Sequence, residues 1–463
     1  MQLSKALRIL STTPQRSSSG EPGTIAFVGA GGKSTALFQL ARELPSPVVV
    51  SATTHLGVWQ IPLADEHYIV QTKEDIQKIS PRTLTLVTGE IEGDRTKGLS
   101  FNAISWLREV CENYSVSLLI EADGSRQKPL KAPGEHEPAV PEFVGHVVQI
   151  VGLSGLGKPL DEENVHRPEI FAQLSGLRRG KTITPAALIH VLTHLDGGLK
   201  NIPPAARRVI LLNQADTPEL QSKANSIAKA LSPIYHSAII ASLKDGNIHA
   251  IREPIAGIIL AAGEAQRFGQ PKQLLSWRGE PFVRAVAKTA LEAGLSPVVV
   301  VTGAYANQVE AAVQDLPVQI VHNEEWKSGQ ASSIRVGLNL HSPLRDTFPQ
   351  NRRFLGRAGE GVGGAIFLLT DQPQITPTIL HALVEEHATT LAPIVAPLVL
   401  DQRANPVLFD RDTFPDLMKL EGDVGGRGIF SKHKVNYLPW HDDAMLLDVD
   451  TPEHYQRLKD LLE

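Results

Sequence analysis

Twice in this chain a short apolar run stops at a glycine-rich turn that opens onto a helix-forming stretch. That pattern constrains the fold more than any other feature. The first instance is Thr24-Ile-Ala-Phe-Val28 followed by Gly29-Ala-Gly-Gly-Lys-Ser-Thr35. The second is the run 255–260, which continues as Leu260-Ala-Ala-Gly-Glu-Ala-Gln-Arg-Phe-Gly-Gln-Pro-Lys272. An apolar run of this length reads as a buried parallel strand, and alternation of such runs with amphipathic stretches means βαβ units. Glycine at the turn lets backbone N–H groups close on phosphate oxygens with no Cβ in the way.

The two segments show no sequence repeat, so the chain reads as a fusion of two α/β domains. In the first, strands are expected at 47–51, 83–88, 117–121, 146–151 and 208–212, with helices at 34–43 and 102–113. In the second, strands are expected at 297–302, 318–322, 365–370 and 393–399, with helices at 282–293, 330–340 and 377–387. The pattern breaks at 243–254, and a Ser/Thr/Pro/Gly-rich stretch precedes the first strand. The expected division is a flexible segment 1–22, a P-loop-like α/β domain 23–245 and a Rossmann-like α/β domain 246–463. A length of 463 residues fits that division, since domains average roughly 150 residues.

Composition excludes several classes. The net charge of −5 has its signs interspersed, which argues against a broad nucleic-acid-binding face. No run approaches the roughly 20 apolar residues needed to cross a bilayer. The expectation is a cytoplasmic protein with no membrane or nucleic-acid partner. The single cysteine, Cys111, permits neither a disulfide framework nor a cysteine metal site, and its expected role is packing.

The second domain carries four features at expected strand ends. They are the Leu260–Lys272 turn, Asp371-Gln-Pro373, Asn405-Pro406 with Gly422-Asp-Val-Gly-Gly-Arg-Gly428, and Asp448-Val-Asp-Thr-Pro452. Attack on an α-phosphate with pyrophosphate leaving requires the developing charge to be neutralised. Mg²⁺ held by a few carboxylates does this. Asp371 and Asp450, with Asp448 nearby, are the candidate metal ligands, and Arg267 and Lys272 the candidates for the leaving phosphates. Asp450-Thr-Pro also reads as the cap of a final helix. Positioning and electrostatics would supply the catalysis.

These motifs, together with Gly329-Gln-Ala-Ser-Ser-Ile-Arg335, resemble the molybdenum cofactor cytidylyltransferase family across residues 255–463. That family lies within the nucleotidyltransferases of the nucleotide-diphospho-sugar transferase type. The resemblance implies transfer of CMP from CTP to the phosphate of molybdopterin bearing molybdenum, with Mg²⁺ or Mn²⁺. The product serves hydroxylases of the xanthine-dehydrogenase type, so the implied partners are an apo-hydroxylase and cofactor-synthesis proteins. It also implies that Leu260, Ala261, Ala262, Gly263, Ser332 and Ser333 meet the nucleotide, and that Asn405, Gly425, Gly426 and Arg427 meet the acceptor. Ser332 and Ser333 read equally as hydroxyl caps of a helix. Ala262 stands where guanylyltransferase relatives carry glycine, which favours CTP over GTP. Guanylyl transfer, another phosphorylated acceptor, or a nucleotide-gated cofactor carrier remain alternatives.

In the first domain Gly29, Gly31, Gly32, Lys33, Ser34 and Thr35 form a shortened phosphate loop. The usual spacing would put its first glycine at Phe27, and the shorter form is similar to that of Mur-type ligases. Backbone amides at a helix N-terminus would cradle phosphate, with Lys33 touching it and Ser34 reaching Mg²⁺. Glu121 and Asp123 end an apolar strand in a Walker-B-like way. Asn213-Gln-Ala-Asp216 resembles the Asn-Lys-x-Asp base-reading motif of GTPases with Gln214 in place of lysine, leaving guanine selectivity open. Glu135, His136 and Glu137 read either as a metal cluster or as a polar loop. Ala52-Thr-Thr-His55, Glu121-Ala-Asp-Gly-Ser125, Pro129-Leu-Lys-Ala-Pro133 and His136-Glu-Pro138 resemble the selenium-dependent molybdenum hydroxylase accessory protein family. The nucleotide expected here is ATP or GTP.

Overall fold

The structure, a computed structural model, describes residues 1–9, 23–264, 270–339 and 361–461. Arg267 and most of the expected lead-in 1–22 lie outside the described residues. The chain divides into two compact units, Met1–Arg252 and Glu253–Glu463, and both are mixed α/β.

The first unit is built on a nine-stranded sheet. Its spatial order is Asn247–Arg252, Ser237–Ser242, Arg207–Asn213, His146–Gly152, Thr24–Gly29, Ser117–Glu121, Val48–Ala52, Leu84–Thr88 and Glu66–Ile69. All neighbours run parallel except Asn247–Arg252, which returns antiparallel on Ser237–Ser242. Every residue of Val48–Ala52 and Leu84–Thr88 is buried, as expected for parallel strands covered on both faces. The first residues of the chain are packed rather than free. Leu3–Ala6 is a short helix with Leu3 and Ala6 fully buried, and Ser4 N–H donates to Glu43 Oε2 at 2.7 Å. Cys111 packs in the core, and burial pushes its thiol up to about 12.

The second unit has an eight-stranded sheet. Its order is Gln319–His322, Val298–Thr302, Ile255–Ala261, Gly364–Leu369, Val407–Asp410, Ile394–Val399 and Gln402–Arg403, with Val435–Pro439 pairing on Ile394–Val399. The central strands bury both faces. Ile259, Ala261, Val298 and Val300 join one apolar cluster, whereas Ile258, Val299 and Val301 join the other. The period of 2 in a strand sends neighbours to opposite faces, so a continuous valine run can serve both. Val407–Asp410 is antiparallel to each neighbour.

In each sheet the order of connection reverses beside the strand that carries the glycine-rich turn. Successive strands go to one side of Ile255–Ala261 until Gly364–Leu369 adds to the other. Thr24–Gly29 likewise lies between His146–Gly152 and Ser117–Glu121. Such reversal points leave a crevice at the carboxyl ends of the strands.

The turn after Thr24–Gly29 requires glycine. Gly31 sits at φ 86°, and a Cβ there would lie 2.3 Å from the Gly152 backbone. Gly31→Ala is therefore expected to destabilise the first unit by about 1–3 kcal/mol. Amide hydrogen exchange should show lost protection in Thr24–Gly29 and Lys33–Glu43, with Ile255–Ala261 unaffected.

Candidate active site

In the second unit, the parallel pairing of Leu260 with Leu369 brings the turn after one strand beside the turn after the other. Between them lies a cavity of about 620 Å³, whose lining includes Leu260, Ala262, Gly263, Lys272, Asp371 and Asp450. Lys272 Nζ is shared, at 2.9 Å from Asp371 Oδ2 and 2.8 Å from Asp450 Oδ1. Burial works against the lysine charge, but Asp371 and Asp450 outweigh it and hold its pKa above the ordinary value. Asp371 Oδ1 is buried with no hydrogen-bond partner among the described residues.

Asp448 is placed differently. Its Oδ1 accepts from Gln372 Nε2 at 2.7 Å. Burial first, and then Asp371, lift its carboxyl above the ordinary aspartate value. Asp450 precedes the last helix, Pro452–Asp460, whose cap is Thr451, accepting from His454 N–H at 3.3 Å. Capping thus falls to Thr451, and the Asp450 carboxylate is left for Lys272.

Ser332 and Ser333 are both buried. Asn323 Nδ2 donates to Ser332 Oγ at 2.9 Å and to Ser333 Oγ at 3.0 Å, while Ser332 Oγ donates to Gly329 O at 2.8 Å. Of the two, Ser333 lines the cavity. Gly329, at φ 105°, is crossed by the Gly422 backbone 2.3 Å from where its Cβ would be. Ala331 N–H donates to Gly422 O at 3.2 Å, which seats the glycine-rich loop on the helix Gln330–Leu338. Asn405, Gly425, Gly426 and Arg427 lie outside the cavity lining. Gly426 packs on the Phe409 ring, and Arg427 is exposed. Ala262 is 4% exposed and meets Gly303, with Ala304 N–H donating to its carbonyl at 3.1 Å.

Three amide side chains to which the sequence assigned no role support the site, and of them Gln273 itself lines the cavity. Gln273 Nε2 donates to Gly263 O at 2.6 Å and Ala261 O at 3.3 Å, fixing the turn from behind. Gln372 holds Asp448, and Asn323 holds the two serines. Gln273 and Gln372 each follow a predicted site residue directly, which was the available signal. Asn323 follows the strand Gln319–His322 with no motif around it.

The first unit has its own polar centre. Lys33 begins the helix Lys33–Glu43, capped by Gly32 at φ 122°. Its Nζ donates to Gly29 O at 2.7 Å and lies 3.2 Å from Asp123 Oδ1, both side chains being buried. Asp123 also accepts from Gly29 N–H at 2.9 Å and from Lys131 Nζ at 2.8 Å. Lys131 and Arg167 both reach Glu137 at 2.7 Å. Ser34 Oγ lies 3.4 Å from Glu121 Oε2, and burial raises the Glu121 pKa. The N–H groups of 31–35 have no hydrogen-bond partner among the described residues. Thr35 is exposed, Gly31 and Lys33 are buried, and Gly32 and Ser34 are half-buried.

Glu137 is thus taken by two cations. No group of three His, Cys, Asp or Glu among the described residues is placed to hold a metal. The stretch 135–137 is a polar loop, and its ion pairs have a pH consequence. Burial pushes the Glu137 carboxyl up, but Arg167 and Lys131 outweigh it and bring it down to about 2. A depressed folded pKa stabilises above the unfolded value of about 4.3 and loses that contribution as pH falls. Urea unfolding should show Glu137→Gln less stable than the parent at neutral pH, with the gap closing between about pH 4.5 and 2.

Comparison with known proteins follows the same division. The YqeC protein family model matches residues 25–169, and the MobA-like NTP transferase domain matches 257–437. A YqeC protein of Escherichia coli (strain K12) is 34% identical over 202 residues, covering 42% of this chain and 76% of the relative. Nicotine blue oxidoreductase of Paenarthrobacter nicotinovorans is 31% identical over 215 residues, covering 44% of this chain and 96% of the relative. The purine catabolism protein PucB of Bacillus subtilis (strain 168) is 29% identical over 222 residues, covering 45% and 98%. The chain belongs to the YqeC family, of the selenium-dependent hydroxylase accessory type, through its first unit and to the MobA-like NTP transferases through its second, and it is a nucleotidyltransferase.

Proposed function

We propose that the second unit transfers CMP from CTP to the phosphate of molybdopterin bearing molybdenum, releasing pyrophosphate. The observation that carries this reading is the Lys272 ammonium shared between Asp371 and Asp450 at the cavity wall. The nature of the acceptor is supported by the pairing of a MobA-like domain with an accessory domain for molybdenum hydroxylases.

A divalent cation fits these residues. Asp371 has a buried oxygen without a partner among the described residues, and a lysine charge already bridges the two carboxylates. Two carboxylates with phosphate oxygens and waters are a usual Mg²⁺ or Mn²⁺ set. The ion would be held by Asp371 and Asp450, and when bound it neutralises charge developing on the α-phosphate. Asp448, tied to Gln372, orients the strand end rather than reaching the ion. Lys272, with Arg267, meets the phosphates that leave. The turn 260–263, braced by Gln273, and Ser333 receive the nucleotide. Asn405, Gly425, Gly426 and Arg427 receive the acceptor beyond the lining formed by Gln330 and Asp423.

The first unit binds ATP or GTP at the turn 29–35. The unpartnered amides of 31–35 at the start of an 11-residue helix favour an anion. Lys33 contacts phosphate, and Ser34 with Glu121 sits where Mg²⁺ accompanies it. This reading leads to maturation of a molybdenum hydroxylase inside the cell. No helix among the described residues is long and apolar enough to cross a membrane.

The test is pyrophosphate release with CTP, GTP or ATP, Mg²⁺ and molybdenum-loaded molybdopterin. CTP should be preferred, and Asp371→Ala should lower the rate about 10²-fold or more with an unchanged circular dichroism spectrum. Release undiminished in Asp371→Ala, or faster with GTP, would overturn the reading. Acceptor binding without release would mark a carrier instead.

A further inference from the structure

Within the first unit, the turn after strand Arg207–Asn213 and the turn after strand Ser237–Ser242 lie on the same sheet edge as the phosphate loop. They stand two and three strands from Thr24–Gly29 in spatial order. At roughly 4.8 Å per strand that is about 10–14 Å, a gap that ribose and α-phosphate bridge in a bound nucleotide. One side chain ties all three turns together. Asn213 Nδ2 donates to Gly31 O at 2.8 Å, and Asn213 Oδ1 accepts from Leu243 N–H at 3.0 Å. Asn213 is buried, with its amide nitrogen and its oxygen each engaged, so it fixes the spacing between phosphate loop and far turns rather than touching a ligand.

The residues that follow Asn213 are set apart by their conformation. Gln214 has φ 62°, and its Oε1 accepts from Ser154 Oγ at 2.6 Å. Ala215 is fully buried, with its N–H donated to Ala241 O at 3.0 Å. Asp216 then emerges exposed, and its carboxylate has no partner among the described residues. Helix capping does not use it, because Thr217 accepts from Leu220 N–H at 3.2 Å.

We propose that the first unit selects a guanine nucleotide, with the Asp216 carboxylate reading the base and Asn213 holding the base-side turns at a fixed distance from the phosphate loop. The proposal rests on the phosphate-loop reading above and narrows it. An ionised carboxylate only accepts hydrogen bonds. Guanine presents two adjacent donors, N1–H and the 2-amino group, which match both oxygens. Adenine offers an acceptor nitrogen and a C–H on that edge, so the carboxylate would face a lone pair. Sites that pair polar groups with a base reject the analogue lacking them far more strongly than apolar pockets do. The bland role for Asp216 is favourable charge at the N-terminus of the helix Pro218–Leu231, which would affect stability and not base preference.

The full chain, saturated with CTP to occupy the second unit, is titrated with GDP, ADP and xanthosine diphosphate in Mg²⁺. The expected result is GDP binding about 10²-fold tighter than ADP, abolished by Lys33→Ala. Xanthine carries a carbonyl where guanine has its 2-amino group. Asp216→Asn should therefore lose GDP about 10²-fold and gain xanthosine diphosphate, with an unchanged melting temperature. Equal binding of GDP and ADP, both removed by Lys33→Ala, would overturn base selection and leave the phosphate loop standing. No diphosphate binding sensitive to Lys33→Ala would overturn both. A lowered melting temperature in Asp216→Asn with the preference for GDP over ADP and xanthosine diphosphate unchanged would assign Asp216 to stability alone and overturn its role at the base.

Discussion

A charge removed from water must be met by another, and the polar centre of the first unit is built around that requirement. In the first unit the Asp123 carboxylate takes Lys33, Lys131 and the Gly29 N–H. In the second, Lys272 takes Asp371 and Asp450. Stranding one member of the buried first-unit set would cost several kcal/mol, whereas Asp450 is 50% exposed and solvent screens its pair with Lys272. The positions of three loops in each unit follow from these pairs more than from the loops' own conformational preferences. Both sets also leave capacity unused. Among the described residues, Asp371 keeps an unpartnered oxygen and the first-unit helix start keeps its amides open. A polyanion with its cation could enter either centre by exchanging partners rather than by creating new charge burial.

Much of this was legible from the residues. Central strands such as Val298–Thr302 and Ser117–Glu121 carry unbroken apolar runs, 298–301 and 118–120, because both faces are covered. The first glycine-rich turn was legible because a positive φ beside a crossing backbone, as at Gly29 and Gly31, admits little else. Less visible were the edges. Asn247–Arg252 reads as an interruption in sequence, yet it completes the first sheet by antiparallel pairing. Val407–Asp410 inserts between two strands that a βαβ reading would make neighbours. Strand order depends on contacts far apart along the chain, and local periodicity carries none of that information.

The site shows the same division. Lys272, Asp371 and Asp450 stood out by charge at strand ends, and they meet in space. Gln273, Gln372 and Asn323 did not stand out, because a neutral amide is an ordinary surface residue until its partners are known. Their work is to hold carbonyls, a carboxylate and hydroxyls in place. Asp448 and Asp450 are two residues apart and chemically identical, yet one is bound by an amide and the other by an ammonium. Only the fold separates them. Ala262 lines the cavity and also sits against Gly303, so its methyl group serves packing as well as the turn.

The pairing of Lys272 with Asp450 spans 178 residues of sequence. On a ribosome the lysine emerges early and its second carboxylate very late. Until then Lys272 has Asp371 alone, and the turn that carries it lacks one of its two anchors. Synthesis thus delays the finished Lys272–Asp371–Asp450 wall of the cavity until nearly the whole second unit has been made. A growing chain that already displays the glycine-rich turn would be poorly organised to consume nucleotide, and competence arrives with the far end of its own fold.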